Sequence, residues 1–155
     1  MDNSSIEKLL GDHPWAHTVR VLDTVDSTNN LAKQQARQGI PAGTVLIADR
    51  QSAGRGRLGR TFLSPGGVGI YFSVILRPAC RPQALMHLTC ASAVSMADAV
   101  ERACGFRPGI KWTNDLVVGS KKICGILTEL SVDPATGLVD YAVVGTCTCF
   151  QELVA

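Results

Sequence analysis

Apolar positions along this chain follow two rhythms, and the change from one to the other marks out its elements. "TVLIAD" (44–49) and "VGIYFSVIL" (68–76) are short apolar runs rich in β-branched and aromatic residues, which predicts two strands. From Gln83 to Cys104 there is neither Gly nor Pro, and Leu85, Leu88, Met96, Ala99, Val100 and Ala103 recur at helical spacing. That predicts a helix. A shorter amphipathic helix is expected at "NLAKQQARQG". It follows Asp26-Ser27-Thr28-Asn29, whose side chains suit the free amides of a helix start, and Gly39 would end it. "GIKWTNDLVV" and "KKICGILTEL" read as two strands joined by a tight Gly-Ser turn. "DPATG" (133–137) makes the next turn and "LVDYAVVG" the next strand. Helix and strand alternate first, and strands then run in hairpins. The expected class is α+β, with a mixed or antiparallel sheet and helices packed on one face.

Composition narrows the choice. At 155 residues the chain has the length of one domain, and 46% hydrophobic against 18% charged residues excludes a disordered polymer. No stretch is apolar enough to span a bilayer, and "MDNSSIEKLLGDHPW" lacks the basic-then-apolar order of a secretory leader. The six cysteines form no CxxC pair and, with His13, His17 and His87, no zinc pattern. Small core thiols in a reducing cytoplasm are expected, with no membrane partner.

Charge changes the picture through its distribution. The net charge of +2 gives no reason to expect a general nucleic-acid binder. Between Asp49 and Asp98, however, there is no acidic residue, and Arg50, Arg55, Arg57, Arg60, Arg77 and Arg81 all fall in that gap. A local basic surface for a small anionic ligand follows. Its densest part is "SAGRGRLGRTFLSPGG" (52–67).

Gly54, Gly56 and Gly59 formally match a dinucleotide fingerprint. That motif requires a helix directly after the loop and an acidic residue about twenty positions on. Here Thr61-Phe62-Leu63-Ser64-Pro65 cannot open a helix and no acid follows, so the dinucleotide reading fails. A Walker loop fails too, since no Gly-Lys-Ser/Thr is present. What remains is a flexible loop presenting guanidiniums, whose planar forks suit carboxylate and phosphate oxygens. The glycines would let backbone amides approach the ligand. A solvated loop, or an Arg-Gly segment binding RNA, is the alternative from the residues alone. A second constellation is Lys111-Trp112-Thr113-Asn114-Asp115 followed by Lys121-Lys122. Asn-Asp at a strand end can hold a metal ion or a ribose, or simply make a turn. The lysines can meet an anion or face solvent.

Taken together, "DSTNN", "RQSAGRGRLGR" and "KWTNDLVVGSKKICGILTEL", in this order and spacing, resemble the catalytic domain of biotin–protein ligases. The resemblance runs from about Val21 to about Val144. It implies a class II synthetase-like core in 21–155 behind an N-terminal extension (1–20), without a winged-helix DNA-binding domain or a C-terminal β-barrel domain, and so no DNA partner. The implied reaction joins biotin and ATP, with Mg, into biotinyl-5′-AMP, and then transfers biotin to a lysine of biotin carboxyl carrier protein. Pairing of two copies through sheet edges is also implied.

By motif position, Ser27, Thr28 and Asn29 would meet the biotin head group, and Gln51 would add a polar contact. Arg55 would lie near the biotin carboxylate, with Gly56 giving backbone access. Arg57 would hold the adenylate phosphate, and Lys122 would be the principal catalytic cation. Arg60, Asn114 and Asp115 would lie near ATP, with Mg near Asp115. Gly125 would pack against biotin, and Trp112 would be a wall of the site or plain core. Thr113 stands where the family usually has Pro, and Phe62 where it often has Trp. After "YAVVG" the family's Gly and Asn give way to Thr146-Cys147-Thr148-Cys149-Phe150, and the sequence ends at Ala155. A shortened biotin-binding remnant is therefore the runner-up, ahead of a lipoate–protein ligase.

Overall fold

The computed structural model describes residues 2–149; Phe150 and the terminal Ala155 lie outside the described residues. Three helices accompany seven strands: α1 (Asn3–Leu10), β1 (Val19–Val25), α2 (Thr28–Arg37), β2 (Val45–Gln51), β3 (Gly69–Leu76), α3 (Leu88–Cys104), β4 (Gly109–Lys111), β5 (Asp115–Val118), β6 (Lys121–Val132) and β7 (Val139–Cys149). The strands make one sheet in the order β1-β2-β3-β7-β6-β5-β4. β1 and β2 pair in parallel, with α2 as the connection between them, and the remaining neighbours are antiparallel. The α+β class is the expected one, and of the mixed or antiparallel sheet expected the parallel pair of β1 and β2 makes it mixed.

The placement of the helices differs from expectation. Val143 packs with Ala32 and Ala36 of α2, whereas Val144 packs with Ala93, Ala97 and Val100 of α3. Consecutive residues of a strand point to opposite faces, so α2 and α3 cover opposite faces of the sheet rather than one. The reason lies in β7, whose apolar run "YAVVG" is continuous rather than alternating. A central strand buried on both sides reads that way.

Local chemistry sets the element ends. Ser27 caps α2, its Oγ accepting from Asn30 N–H at 3.5 Å, and Gly39 follows the helix at φ +85°. Arg77 ties the other end of α2 to β7, donating to the Ile40 carbonyl (3.2 Å) and to Asp140 Oδ1 (3.2 Å). In α3 the buried stripe is Ala93, Ala97 and Val100, while Ala99 and Ala103 are exposed; the helix begins at Leu88, after a short 3-10 turn at Pro82–Leu85. Small residues let α3 settle close to the sheet. The expected strand through "GIKWTNDLVV" is interrupted by a turn at 112–114, which separates β4 from β5. Of the six thiols expected in the core, Cys124 is fully buried, Cys104 is exposed and the others are half-buried.

Candidate active site

The cleft of interest lies on the α2 face of the sheet, between the first turn of α2, the loop after β2, and β6. Its empty space, the open mouth included, is about 390 Å³. Its lining brings together Ser27, Thr28, Asn29, Gln51, Arg55, Gly56, Arg57, Asn114, Lys122 and Gly125, ten of the thirteen positions singled out in the sequence. Asp115 stands just behind Lys122, and Arg60 is exposed outside the lining. Trp112 is neither a wall of this cleft nor core: it is 77% exposed beside a neighbouring groove.

The inner end of the cleft is a polar network. Gln51 Oε1 accepts from Thr28 N–H (2.9 Å) and from the Thr28 hydroxyl (3.1 Å). Gln51 Nε2 donates to Ser64 Oγ (2.8 Å) and to Cys147 Sγ (3.4 Å). Every hydrogen-bonding group of the Gln51 amide thus has a protein partner. Its work is to hold the first turn of α2 in place. Asn29 is similarly engaged, its Nδ2 donating to the Leu127 carbonyl (3.2 Å) and to Glu129 Oε2 (2.9 Å). The Ser73 hydroxyl lies 2.6 Å from Asn29 Oδ1 and 2.8 Å from the Thr28 hydroxyl. Buried polar groups must be satisfied, and here they satisfy one another across α2, β2, β3 and β6.

Two glycines open the floor. A Cβ on Gly145 would run into the Asn29 amide, and one on Gly125 would come within 3.0 Å of Lys122 Nζ and 3.3 Å of the Phe62 ring. Cys147, paired with Gly125 in register, supplies the thiol of this floor, and burial pushes its pKa up, keeping it neutral.

Lys122 reaches the cleft because of a local irregularity. Gly125 faces the α2 side, and strict alternation would send Lys122, three residues earlier, to the α3 side. The pairing of β5 with β6 shifts between Leu116 and Val117, so that Leu116 faces Cys124 and Val117 faces Lys122, leaving Ile123 as the extra residue. Ile123 and Cys124 both enter the α3-side core. This β-bulge re-aims Lys122 toward the cleft. Its ammonium then sits 2.8 Å from Asp115 Oδ1 and 5.5 Å from the centre of the Phe62 ring.

The arginine–glycine loop is a closed turn rather than an open strand of donors. Gly56 N–H donates to the Arg60 carbonyl (2.7 Å) and Phe62 N–H to the Gly54 carbonyl (2.9 Å). Leu58 takes φ +55° at the tip. Gly54 is buried, and a Cβ there would meet the Phe62 carbonyl, so it serves packing rather than ligand approach. The cations have protein partners too. Arg57 donates to Asn114 Oδ1 (2.8 Å) and Thr113 Oγ1 (3.3 Å), and Arg55 to Asn30 Oδ1 (2.9 Å) and Glu129 Oε1 (3.2 Å). An anionic ligand would exchange with the neutral acceptors of Arg57 at small electrostatic cost.

Sequence reasoning missed Glu129, Ser73 and Ser64, and did not place Cys147 in the site. The three anchors Ser73, Ser64 and Glu129 carry no motif of their own. Glu129 lies four residues past Gly125, so period-2 alternation from a known site residue would have put it on the same face.

Comparison with known proteins agrees with this geometry. The model of the Biotin/lipoate A/B protein ligase family matches residues 21–146. The chain is 38% identical over 126 residues to the Bifunctional ligase/repressor BirA of Bacillus subtilis, covering 81% of this chain and 37% of that protein. With the Biotin--[acetyl-CoA-carboxylase] ligase of Mycobacterium tuberculosis it shares 33% identity over 137 residues, 84% of this chain and 52% of the relative. The biotin protein ligase from Aquifex aeolicus in complex with biotin and ATP superposes with a TM-score of 0.68 at 35% identity, covering 84% of this chain and 51% of that one. The chain thus spans about a third to a half of the length of these relatives. With the sheet, the loop and the lysine strand all accounted for, the chain belongs to the biotin/lipoate A/B protein ligase family, and its fold matches part of a biotin protein ligase.

Proposed function

We propose that this chain activates biotin with ATP as biotinyl-5′-AMP and passes the biotinyl group to a lysine of a biotin carboxyl carrier protein. The observation that carries this reading is the meeting of the Lys122 ammonium and the Arg57 guanidinium in one cleft, whose inner end is the N-terminus of α2 at Ser27–Thr28. Support also comes from relatives named as biotin ligases and from the A. aeolicus neighbour's complex with biotin and ATP.

In the first step a biotin carboxylate oxygen bonds to the α-phosphorus of ATP, and the bond from that phosphorus to the bridging oxygen breaks, releasing pyrophosphate. Two anions must approach, and negative charge grows on phosphate oxygens. Lys122 and Arg57 lower the repulsion and stabilise that charge from fixed positions. Ser27 and Thr28 orient the biotin head group, with Asn29 and Gln51 beside them in the lining of the cleft, holding the first turn of α2 in place. In the second step the neutral amine of the acceptor lysine bonds to the acyl carbon, AMP leaves with the oxygen, and the amine's extra proton passes to solvent. Arg57 retains the adenylate until then.

The residues do not fit a protein-held magnesium ion. Asp115 is a single carboxylate whose Oδ1 already takes Lys122 and, at 2.9 Å, Asn114 Nδ2, and the described residues contain no group of three or more His, Cys, Asp or Glu that could hold a metal. Magnesium would enter on the triphosphate.

The test is biotin-dependent exchange of labelled pyrophosphate into ATP, with lipoate as the comparison acid. Exchange with biotin alone is the expected result. Exchange with lipoate alone would overturn the substrate assignment. Folded protein that binds biotin without exchange would reduce the chain to a biotin-binding remnant.

A further inference from the structure

We infer that Glu129 is a positioning residue that pins the arginine–glycine loop to the sheet through Arg55, so that the loop's arginines divide their work: Arg55 anchors, and Arg57 is left to meet the ligand.

The geometry is specific. Glu129 is on the cleft face of β6, and its side chain is only 22% exposed. Oε1 receives Lys33 Nζ at 2.7 Å and Arg55 at 3.2 Å, and Oε2 receives Asn29 Nδ2 at 2.9 Å. The donors come from two separate pieces of chain, α2 and the loop. Arg55 is doubly held, because the same nitrogen also donates to Asn30 Oδ1, and Asn30 in turn donates to Asp26 Oδ2 (2.9 Å). One carboxylate therefore joins β6, the first turn of α2 and the loop at a single point. Arg57, two residues on, turns the other way, toward Thr113 and Asn114.

Charge balance argues for a clamp rather than a ligand site. The groups facing Glu129 are Lys33, Arg55 and the Asn29 amide, and both Glu129 oxygens are occupied by them. The Arg55 guanidinium is thereby drawn away from any ligand carboxylate, and the loop meets the ligand through Arg57 and its backbone. An exposed ion pair alone would fix little. Here the carboxylate is half-buried and already ordered by two α2 donors, so joining Arg55 to it costs little further entropy.

Trypsin tests this directly, since the loop contains its own cleavage sites after Arg57 and Arg60, and loop cleavage reports the population of opened loop. In the ligand-free full chain, Glu129→Gln keeps the side-chain size and removes the charge. It should speed cleavage after Arg57 and Arg60 about fivefold, the order expected for a partly buried ion pair. Arg55→Met, changed at the loop end, should give the same rise without touching the sheet, so the test survives if Glu129→Gln folds poorly. The double variant should cleave no faster than either single variant. Lys33→Met, which touches the same carboxylate but not the loop, should stay within about twofold of wild type. Wild-type cleavage rates in Arg55→Met, additive effects in the double variant, or an equal rise in Lys33→Met would each overturn the clamp.

A kinetic arm rests on the proposed ligase reading. Glu129→Gln should raise KM for biotin severalfold with kcat less than halved, and Glu129→Asp should recover part of the loss. A fall in kcat at constant KM would contradict a positioning role. Because the proteolysis arm needs no ligand, failure of the clamp and failure of the ligase reading are told apart.

Discussion

The two faces of the sheet are built from the same strands and do different jobs. On the α3 side, Leu116, Ile123, Cys124, Ile126 and Val144 meet Ala93, Ala97 and Val100 in a dry core. On the α2 side, the packing changes along the helix. Its C-terminal half buries Ala32 and Ala36 against Leu46, Ile75, Tyr141 and Val143, and its first turn buries Thr28 and Asn29 against Gln51 and Ser73. Dry packing holds the sheet as a platform, while the polar packing holds a few donors and cations at fixed angles above it. The lesson is that stability and positioning are separable here, residue by residue, along single strands.

The comparison is broken most sharply at Lys122, the one cation of the cleft that is carried by the sheet itself. Lys122→Ala should lower biotin-dependent pyrophosphate exchange about 100- to 1,000-fold in kcat, as loss of a charge-stabilising group does. Its melting temperature should stay near that of wild type. A large loss of stability instead would show that the lysine belongs to the scaffold.

Next in size is the dry face. Leu116→Ala should destabilise the protein by about 2–5 kcal/mol in urea unfolding, with KM for biotin little changed in the fraction that remains folded. A shift in KM comparable to the loss of stability would show that the two faces are coupled.

Gly145→Ala probes the seam between them. The added methyl would meet the Asn29 amide, and overpacking of this kind costs about 1–3 kcal/mol. Here biotin affinity and stability should both fall, because Asn29 belongs to the network and the cleft alike. Isothermal titration with biotin beside urea unfolding checks the pair.

Ser73→Ala is milder. It removes the hydroxyl shared by Thr28 and Asn29, for a loss of about 1–2 kcal/mol in urea, with the effect on biotin KM exceeding that on kcat.

The smallest expected effect is a pH dependence. Burial alone would raise the Glu129 pKa, yet hydrogen bonds from Lys33 and Asn29, with the charges of Lys33 and Arg55, hold it below its ordinary 4.5. A carboxylate depressed in this way stabilises the fold fully above the ordinary value and loses that contribution as pH falls through the lowered one. The stability gap between wild type and Glu129→Gln should be constant near neutrality and close in acid. A gap that widens on acidification would reverse the sign and remove the ion-pair account.

Much of this was legible beforehand. The strands near Val45–Gln51, Gly69–Leu76 and Lys121–Val132 announced themselves by β-branched runs, and α2 by its cap. The motif residues did converge on one cleft. Other features were not legible, for identifiable reasons. The α3 stripe fell on alanines, whose weak hydrophobicity hides their phase. Trp112 carried an apolar signal but sits in a turn that breaks the expected strand. Ser73 and Ser64 act through hydrogen bonds to residues distant in the chain, which leave no pattern in a sequence.

The sequence by itself determined the α+β class, most of the strands and helices, the basic gap between Asp49 and Asp98, and the three motifs that carry the family, because alternation, capping and motif spacing are local properties of the chain. Only the tertiary structure decided that α2 and α3 take opposite faces, that Gln51 and Asn29 hold other residues in place, and that Lys122 points into the cleft at all. The last follows from one unpaired residue, Ile123, in the ladder between β5 and β6. A bulge is a relation between two strands, and which way a side chain points beyond it is fixed only when the partner strand is in place.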